Sequence, residues 1–486
     1  MDCHKGLDYI HEAEEDIWVE KINELRLNGR LCSWMTGFHP QQLPCHLEGG
    51  FLNGSYNVCQ IFIFEDGTTW ILRLPRVSSI SPEYAEEKVI MEVEALDIIH
   101  KKTTIPVPQV KAWGYARDNS LDLGPFLIME WINGICLGGI LIDGESRVIK
   151  KDISDDKIEF IYRQMADIML QLHEIDFERI GNLPTPRTGA SVPVRPLTWK
   201  VHDILRTGGV NTFGDPAQEF PTVTEYFQHV IGQDWKQLHD QPNSIGGWYT
   251  ASTEYRNQKV LGPLIPGMVH PEYERGPFKL ICDDLGPKNL LVRSAEDLTI
   301  VGMVDLEWTY VGPAQLFASA PWWLLQDRPI NQQWDFSNDD VPPQEITSRY
   351  LRCLDIFKRV LEEEEAKRPE AKGKGTSLSA LVKWSETSGA MWLHMLLSSG
   401  FLDSLGFPCG HLRRHVGVEW WQEEMTKLEG SEEVKAFVDK KLPMFDRYEE
   451  NMKKIEVQKA LMDEGKITKK EFAALARSIL AGEQGS

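Results

Sequence analysis

The stretch 278–308, FKLICDDLGPKNLLVRSAEDLTIVGMVDLEW, constrains this chain more than any other. Phe278 to Cys282 is a short apolar run that turns polar at Asp283. Leu290 to Val292 is a second run, beyond Gly286 and Pro287, and a third, Ile300 to Val304, ends on Asp305. Short apolar runs punctuated by turn residues are the mark of buried strands. Asp284, Asn289 and Asp305 therefore fall at strand tips, where a cleft can use them. An aspartate, an amide five residues on and an aspartate after another strand form a particular oxygen set. It suits holding a magnesium nucleotide and aiming a hydroxyl at it.

Upstream, GGFLNGSYN (49–57) is small, polar and glycine-bearing. Gly49, Gly50 and Gly54 permit close backbone approach to a phosphate, with Ser55 and Asn57 as candidate donors. VCQIFIF and TTWILRL flank Asp66-Gly67 and predict a β-hairpin. Arg73 stands among Trp70, Ile71, Leu72 and Leu74, where an unpaired cation is costly. A glutamate on the next helix is the natural partner. That helix, EYAEEKVIMEVEALDIIHKK, carries Val89, Val93, Leu96 and Ile99 on one face and offers both Glu92 and Glu94. Phe126 to Met129 reads as a buried strand, and Glu130-Trp131-Ile132 as the connector leaving it.

Beyond residue 150 the helical period takes over. Ile158, Ile161, Met165, Ile168, Met169 and Leu172 form one apolar stripe ending near His173. Residues 183–222 read as an irregular insert, while Tyr226–Leu238 and Trp248–Leu261 read as helices. Trp322-Trp323 fits core packing better than an acceptor pocket. The segment from Glu362 through AKRPEAKGKG predicts a helix end and flexible linker, and 378–403 an apolar helix.

With 486 residues, 42% apolar and 26% charged, the chain has room for several domains of ordinary globular composition. Its formal charge of −21 argues against nucleic acid or an anionic membrane as the main partner. No run approaches the roughly 18 apolar residues of a membrane span. The eight cysteines lack the paired short spacing of a zinc site or secreted disulfide framework. The acidic N-terminus lacks the basic end and apolar core of a signal peptide. A soluble protein in a reducing, cytoplasmic setting is expected.

Together these motifs resemble the aminoglycoside phosphotransferase-like kinases, and in particular a fungal branch of that family. The family's catalytic loop, His-x-Asp-x-x-x-x-Asn, stands here as Cys282-Asp283-Asp284-Leu285-Gly286-Pro287-Lys288-Asn289, with cysteine for histidine. Val304-Asp305-Leu306-Glu307-Trp308 is similar to the family's metal-aspartate segment, and LRLPR (72–76) to its nucleotide-lysine strand, with arginine for lysine. IMEVEAL followed by IPVP is similar to the segment bearing the paired glutamate, at Glu92, and FLIMEWINGICL to the hinge.

The resemblance implies an α+β, two-lobed protein-kinase-like fold, with a small β-rich N-lobe and a large, mainly helical C-lobe. Its expected divisions are an N-terminal helical extension (1–48), the nucleotide-binding N-lobe (49–130), the C-lobe (131–430) and a helical tail (431–486). It implies transfer of the γ-phosphate of ATP to a hydroxyl of a small-molecule acceptor. Asp284 is the implied base, and Asn289 and Asp305 the implied magnesium ligands. Gly50, Gly54, Ser55, Arg73, Glu92, Glu130 and Ile132 are the implied nucleotide contacts. The spacing to Asn289 favours Asp284 over Asp283 as base, and Glu307 is left between metal support and a solvent-facing role. The contrasting expectation is a nucleotide-binding pseudokinase acting as a scaffold.

Overall fold

The computed structural model describes residues 3–325, 345–368, 376–398, 404 and 406–482. The linker expected after Glu365 and the end of the apolar segment 378–403 fall largely outside these residues.

Five antiparallel strands build the small lobe: β1 (Cys45–Asn53), β2 (Asn57–Phe64), β3 (Thr69–Pro75), β4 (Val110–Gly114) and β5 (Phe126–Glu130), in the order β1-β2-β3-β5-β4. The hairpin at Asp66-Gly67 forms as its sequence dictates. Asp66 Oδ1 accepts from the Thr68 backbone N–H (2.9 Å) and hydroxyl (2.7 Å), and Gly67 takes φ +83°. Val58, Gln60, Phe62 and Phe64 alternate inward along β2 as the strand period requires. Two helices of the N-terminal stretch, α1 (Lys5–Leu27) and α2 (Arg30–Thr36), cover this sheet through Trp18, Ile22, Leu25, Leu31 and Met35. The sheet begins at Cys45, so its first strand reaches back into the expected extension. Helix α3 (Pro82–Lys102) lies between the lobes and is buried on nearly every face, charged residues included.

The large lobe opens with β6 (Ile135–Cys136) and α4 (Leu137–Leu141). Its central helix α5 (Asp155–His173) buries Ile158, Ile161, Met165, Ile168, Met169 and Leu172. Two small sheets frame the functional segment. One orders β6 beside β9 (Leu290–Val292) and β10 (Ile300–Met303); the other places β8 (Phe278–Cys282) between β7 (Asp176–Phe177) and β11 (Thr309–Gly312). The insert 183–222 holds a helix the sequence pattern did not reveal, α6 (Trp199–Gly208). Thr198 caps it by accepting from Val201 N–H, and Gly209 ends it at φ +69°. Flanking prolines and glycines masked so short a helix. Helices α7 (Val223–Asp240) and α8 (Trp248–Leu261) follow, and Gly389, at φ +74°, divides the apolar segment into Leu378–Thr387 and Ala390–Leu397.

The tail helices Glu432–Asp463 and Lys469–Ala481 fold back onto α1, burying Ile10 and Ala13 against Tyr448, Met452, Ile455 and Phe472. The chain thus has the two-lobed α+β organisation of the protein-kinase-like fold, with its functional segment facing the small lobe. No described helix is long and apolar enough to cross a membrane.

Candidate active site

Strand β8 is held on both edges, by β7 and β11. The loop beyond it closes through backbone bonds: Leu285 N–H to Cys282 O (3.0 Å) and Asn289 N–H to Gly286 O (2.9 Å). That turn brings Asn289 back over Asp284. The Asn289 side-chain amide donates to the Asp284 carbonyl at 2.9 Å and to its carboxylate at 3.1 Å. The five-residue spacing is therefore a local hydrogen-bonded unit, in which Asp284 is oriented by Asn289.

Asp305 follows β10 and takes φ +64°, a left-handed conformation uncommon for a residue with a Cβ. Such strain costs about 1–3 kcal/mol and persists where the surroundings over-determine it. Here they do, because Met303 N–H bonds Pro106 O (2.7 Å) and Val304 N–H bonds Asn289 O (2.9 Å) immediately before it.

From the small lobe, Arg73 on β3 reaches the same place. Its guanidinium contacts Asp305, lies 3.0 Å from Glu307 and lies 3.3 Å from Glu92. Glu92 is thus the glutamate paired with Arg73. Glu94 faces elsewhere, accepting from the Thr188 backbone N–H (2.7 Å) and hydroxyl (2.6 Å). Glu307 lies at the centre of the network and is 3% exposed, which excludes a solvent-facing role. It also takes Lys88 of α3, a residue the sequence reasoning passed over, and the amide of Asn57. Lys88 stands one helical turn before Glu92, and that spacing was the available signal. Asn57 is committed to Glu307, rather than facing outward as a phosphate donor.

These charges divide sharply by surroundings. Burial raises the Asp305 carboxyl, Arg73 opposes it, and the neighbouring carboxylates Glu307, Glu92 and Asp284 raise it further, to about 7. Burial would raise Glu307 too, but Lys88 and Arg73 outweigh it and bring its carboxyl down to about 2. Burial lifts the Cys282 thiol to about 12, so it is a neutral group in this loop.

The remaining candidates make other contacts. Gly50 sits in β1, with open space where a side chain would project. Gly54 turns the β1–β2 loop, its N–H bonding Asn57 O at 2.9 Å, and Ser55 follows at the tip. Glu130 ends β5; its N–H is engaged by Gln109 O (2.9 Å) and its carboxylate lies 3.5 Å from Lys111. Ile132 packs against Gly302, where an added Cβ would meet it at 3.0 Å. His173 is a packing residue, stacked on Phe317 with ring centroids 5.8 Å apart.

Among the described residues, no three His, Cys, Asp or Glu side chains converge as a metal-ligand set. Magnesium commonly takes only one or two protein oxygens and the rest from water and phosphate. The hard oxygens of Asp305 and Asn289, in a carboxylate-rich surrounding, fit that pattern. Beside the loop lies a cavity of about 110 Å³ lined by Cys282, Asp283, Leu285, Trp322, Trp323 and His394. The paired tryptophans thus both pack the core and wall this cavity.

No family model matches the chain. Curated relatives include "Altered inheritance of mitochondria protein 9, mitochondrial" of Clavispora lusitaniae, 30% identical over 114 residues, or 23% of this chain and 18% of that one. The protein of the same name from Debaryomyces hansenii is 24% identical over 163 residues, 30% of this chain and 25% of that one. The chain therefore matches a quarter or less of these relatives' length. Their names correct the expected cytoplasmic location, pointing to mitochondria instead. Among solved structures, the chain is similar to macrolide 2'-phosphotransferase MphH of Brachybacterium faecium (13% identity, 83% of this chain and 99% of that one, TM-score 0.39). It is also similar to an ethanolamine kinase of Plasmodium vivax (13% identity, 78% and 83%, TM-score 0.32).

Proposed function

We propose that this chain is an ATP-dependent phosphotransferase that moves the γ-phosphate onto a hydroxyl of a small-molecule acceptor. The observation that carries the reading is the convergence of Asp284, held by Asn289, with Asp305, held by Arg73, in one cleft between the lobes. Phosphoryl transfer asks a protein mainly for positioning and charge neutralisation. In this reading Asp284 orients the acceptor hydroxyl and takes its proton as the new oxygen–phosphorus bond forms and the bond to the departing ADP oxygen breaks. Asn289 keeps the Asp284 carboxylate in register. Asp305 and Asn289 would hold magnesium, which when bound neutralises phosphate charge. Arg73, positioned by Glu92, faces the phosphates, with Gly50 and Gly54 keeping the loop backbone close over them and Ser55 at its tip. The chain around Glu130 and Ile132 borders the base. The cavity beside Asp283 and the two tryptophans is the proposed acceptor side, and its aromatic walls suit an acceptor with an apolar body.

A second reading, a nucleotide-binding scaffold without turnover, is favoured by one observation: Arg73 is already held by three carboxylates, Asp305 among them. Calorimetric titration with magnesium and ATP, alongside a screen of metabolite pools for ATP-dependent gain of one phosphate, separates the two. The enzyme reading expects Asp305→Ala to lose nucleotide binding and Asp284→Ala to keep it while losing transfer. Nucleotide binding with no transfer to any pool would support the scaffold. Full transfer by both variants would overturn the assignment of this loop.

A further inference from the structure

A polar cavity of about 290 Å³ lies where four parts of the chain meet, and none of the Arg73 network lines it. Its walls are Ser55 and Tyr56 from the β1–β2 loop, Arg76 and Ser79 beyond β3, Arg206 of α6 and Glu15 of α1. Tyr56 separates it from the cleft: its ring meets Trp308 edge-on at 5.0 Å, and its hydroxyl accepts from Trp199 Nε1 at 2.6 Å. Arg76 donates to Gly54 O at 2.6 Å and also forms an ion pair with Glu15. The Ser78 hydroxyl donates to the other Glu15 oxygen. A carboxylate of the chain itself is thus received as an anion in this cavity.

Glu15 engages Arg76, while Arg206 has the Asp8 carboxyl of α1 within electrostatic range. The Nε atoms of Arg76 and Arg206 are both buried without a hydrogen-bond partner. Burial, and then Arg206 itself, lowers the Arg76 guanidinium below its ordinary value, as expected of two cations facing one another. Asp8 and His11 of α1 lie within electrostatic range of Arg206; burial and then Arg206 bring His11 down to about 4, so it adds no charge near neutrality. Two guanidinium forks and three hydroxyls offer more donors than the two oxygens of Glu15 accept.

We infer that this cavity is a binding site for a phosphate monoester group, and that Glu15 is its built-in occupant. A phosphate dianion brings three terminal oxygens to two guanidinium forks, the pairing such forks favour. Its arrival displaces the Glu15 carboxylate from Arg76 and Ser78, and so releases one tie between α1 and the segment after β3.

The test is calorimetric titration of the full chain with inorganic phosphate and with glycerol phosphate. Saturable binding is expected for both. It weakens about tenfold or more in Arg206→Ala, whose side chain loses a charge-assisted contact, and tightens in Glu15→Gln, which removes the competing charge. A saturating magnesium–nucleotide does not abolish it, although Ser55 and the glycine loop border both places. Absence of saturable binding, binding indifferent to Arg206→Ala, or its abolition by nucleotide would overturn the proposal. None of these outcomes bears on whether the cleft binds nucleotide. Binding of inorganic phosphate with exclusion of the monoester would also overturn it, since the site is assigned to an esterified group.

Discussion

Lys88 of α3 and Glu307, two residues past Asp305, form an ion pair across the lobes with side chains only 0% and 3% exposed. Asn57 completes it, with Lys88 Nζ donating to its side-chain Oδ1 at 3.0 Å. Leaving one partner of such a pair buried alone costs about 3–5 kcal/mol, whereas replacing both with apolar groups costs far less. Glu307→Leu and Lys88→Met are each expected to lower unfolding free energy by about that amount. The double variant should fall well short of their sum, as read by denaturant titration. Additive losses would show that the pair is not coupled.

Asn289 is expected to act through Asp284. Removing the amide in Asn289→Ala frees the carboxylate from its 3.1 Å contact. Positioned proton transfer contributes roughly 10²–10⁴-fold, so phosphotransfer should fall by about 100-fold or more through kcat. The acceptor KM should change little. A variant that raises acceptor KM with kcat intact would place Asn289 in acceptor binding instead.

Cys282 should be inert. Only the thiolate is nucleophilic, and burial holds this thiol at about 12. Iodoacetamide at pH 8, followed by peptide mass mapping, is expected to label exposed Cys3 while sparing Cys282 in the folded chain. Rapid labelling of Cys282 would show instead that its half-buried thiol ionises readily.

Lys441 supplies a pH signature of the tail. Its ammonium donates to Gln241 O at 2.5 Å and His239 O at 3.1 Å, closing the end of α7, and burial lowers it from 10.5 to about 7. Below pH 7 it is charged in both states and the fold carries the full burial penalty. Between about 7 and 10.5 the unfolded chain binds more protons than the folded one, so stability rises with pH. The wild type should therefore gain more in Tm from pH 7 to pH 9 than Lys441→Met does. Parallel curves would refute the shift.

The sequence carried those relations that close within a few residues. Asp66-Gly67 dictated its hairpin, and the Asp284–Asn289 spacing dictated a bond within one loop. The resemblance placed Glu92 opposite Arg73 where helical period alone admitted Glu94 as well. What stayed hidden is long-range. Asn57 and Glu307 are 250 residues apart and meet only because the lobes face each other. Arg76 and Arg206 come from different lobes, and nothing in either local pattern announces a shared cavity. Helix α6 was concealed by the breakers that surround it.

One consequence of α1 concerns motion. Its C-terminal half is bedded in the small lobe through Trp18, Ile22 and Leu25, while its N-terminal half is bedded in the tail through Ile10 and Ala13. The segment after β5 joins the lobes covalently at a separate place. α1 is thereby a shared strut: the small lobe cannot shift relative to the tail without α1 giving up its apolar contacts at one end or the other.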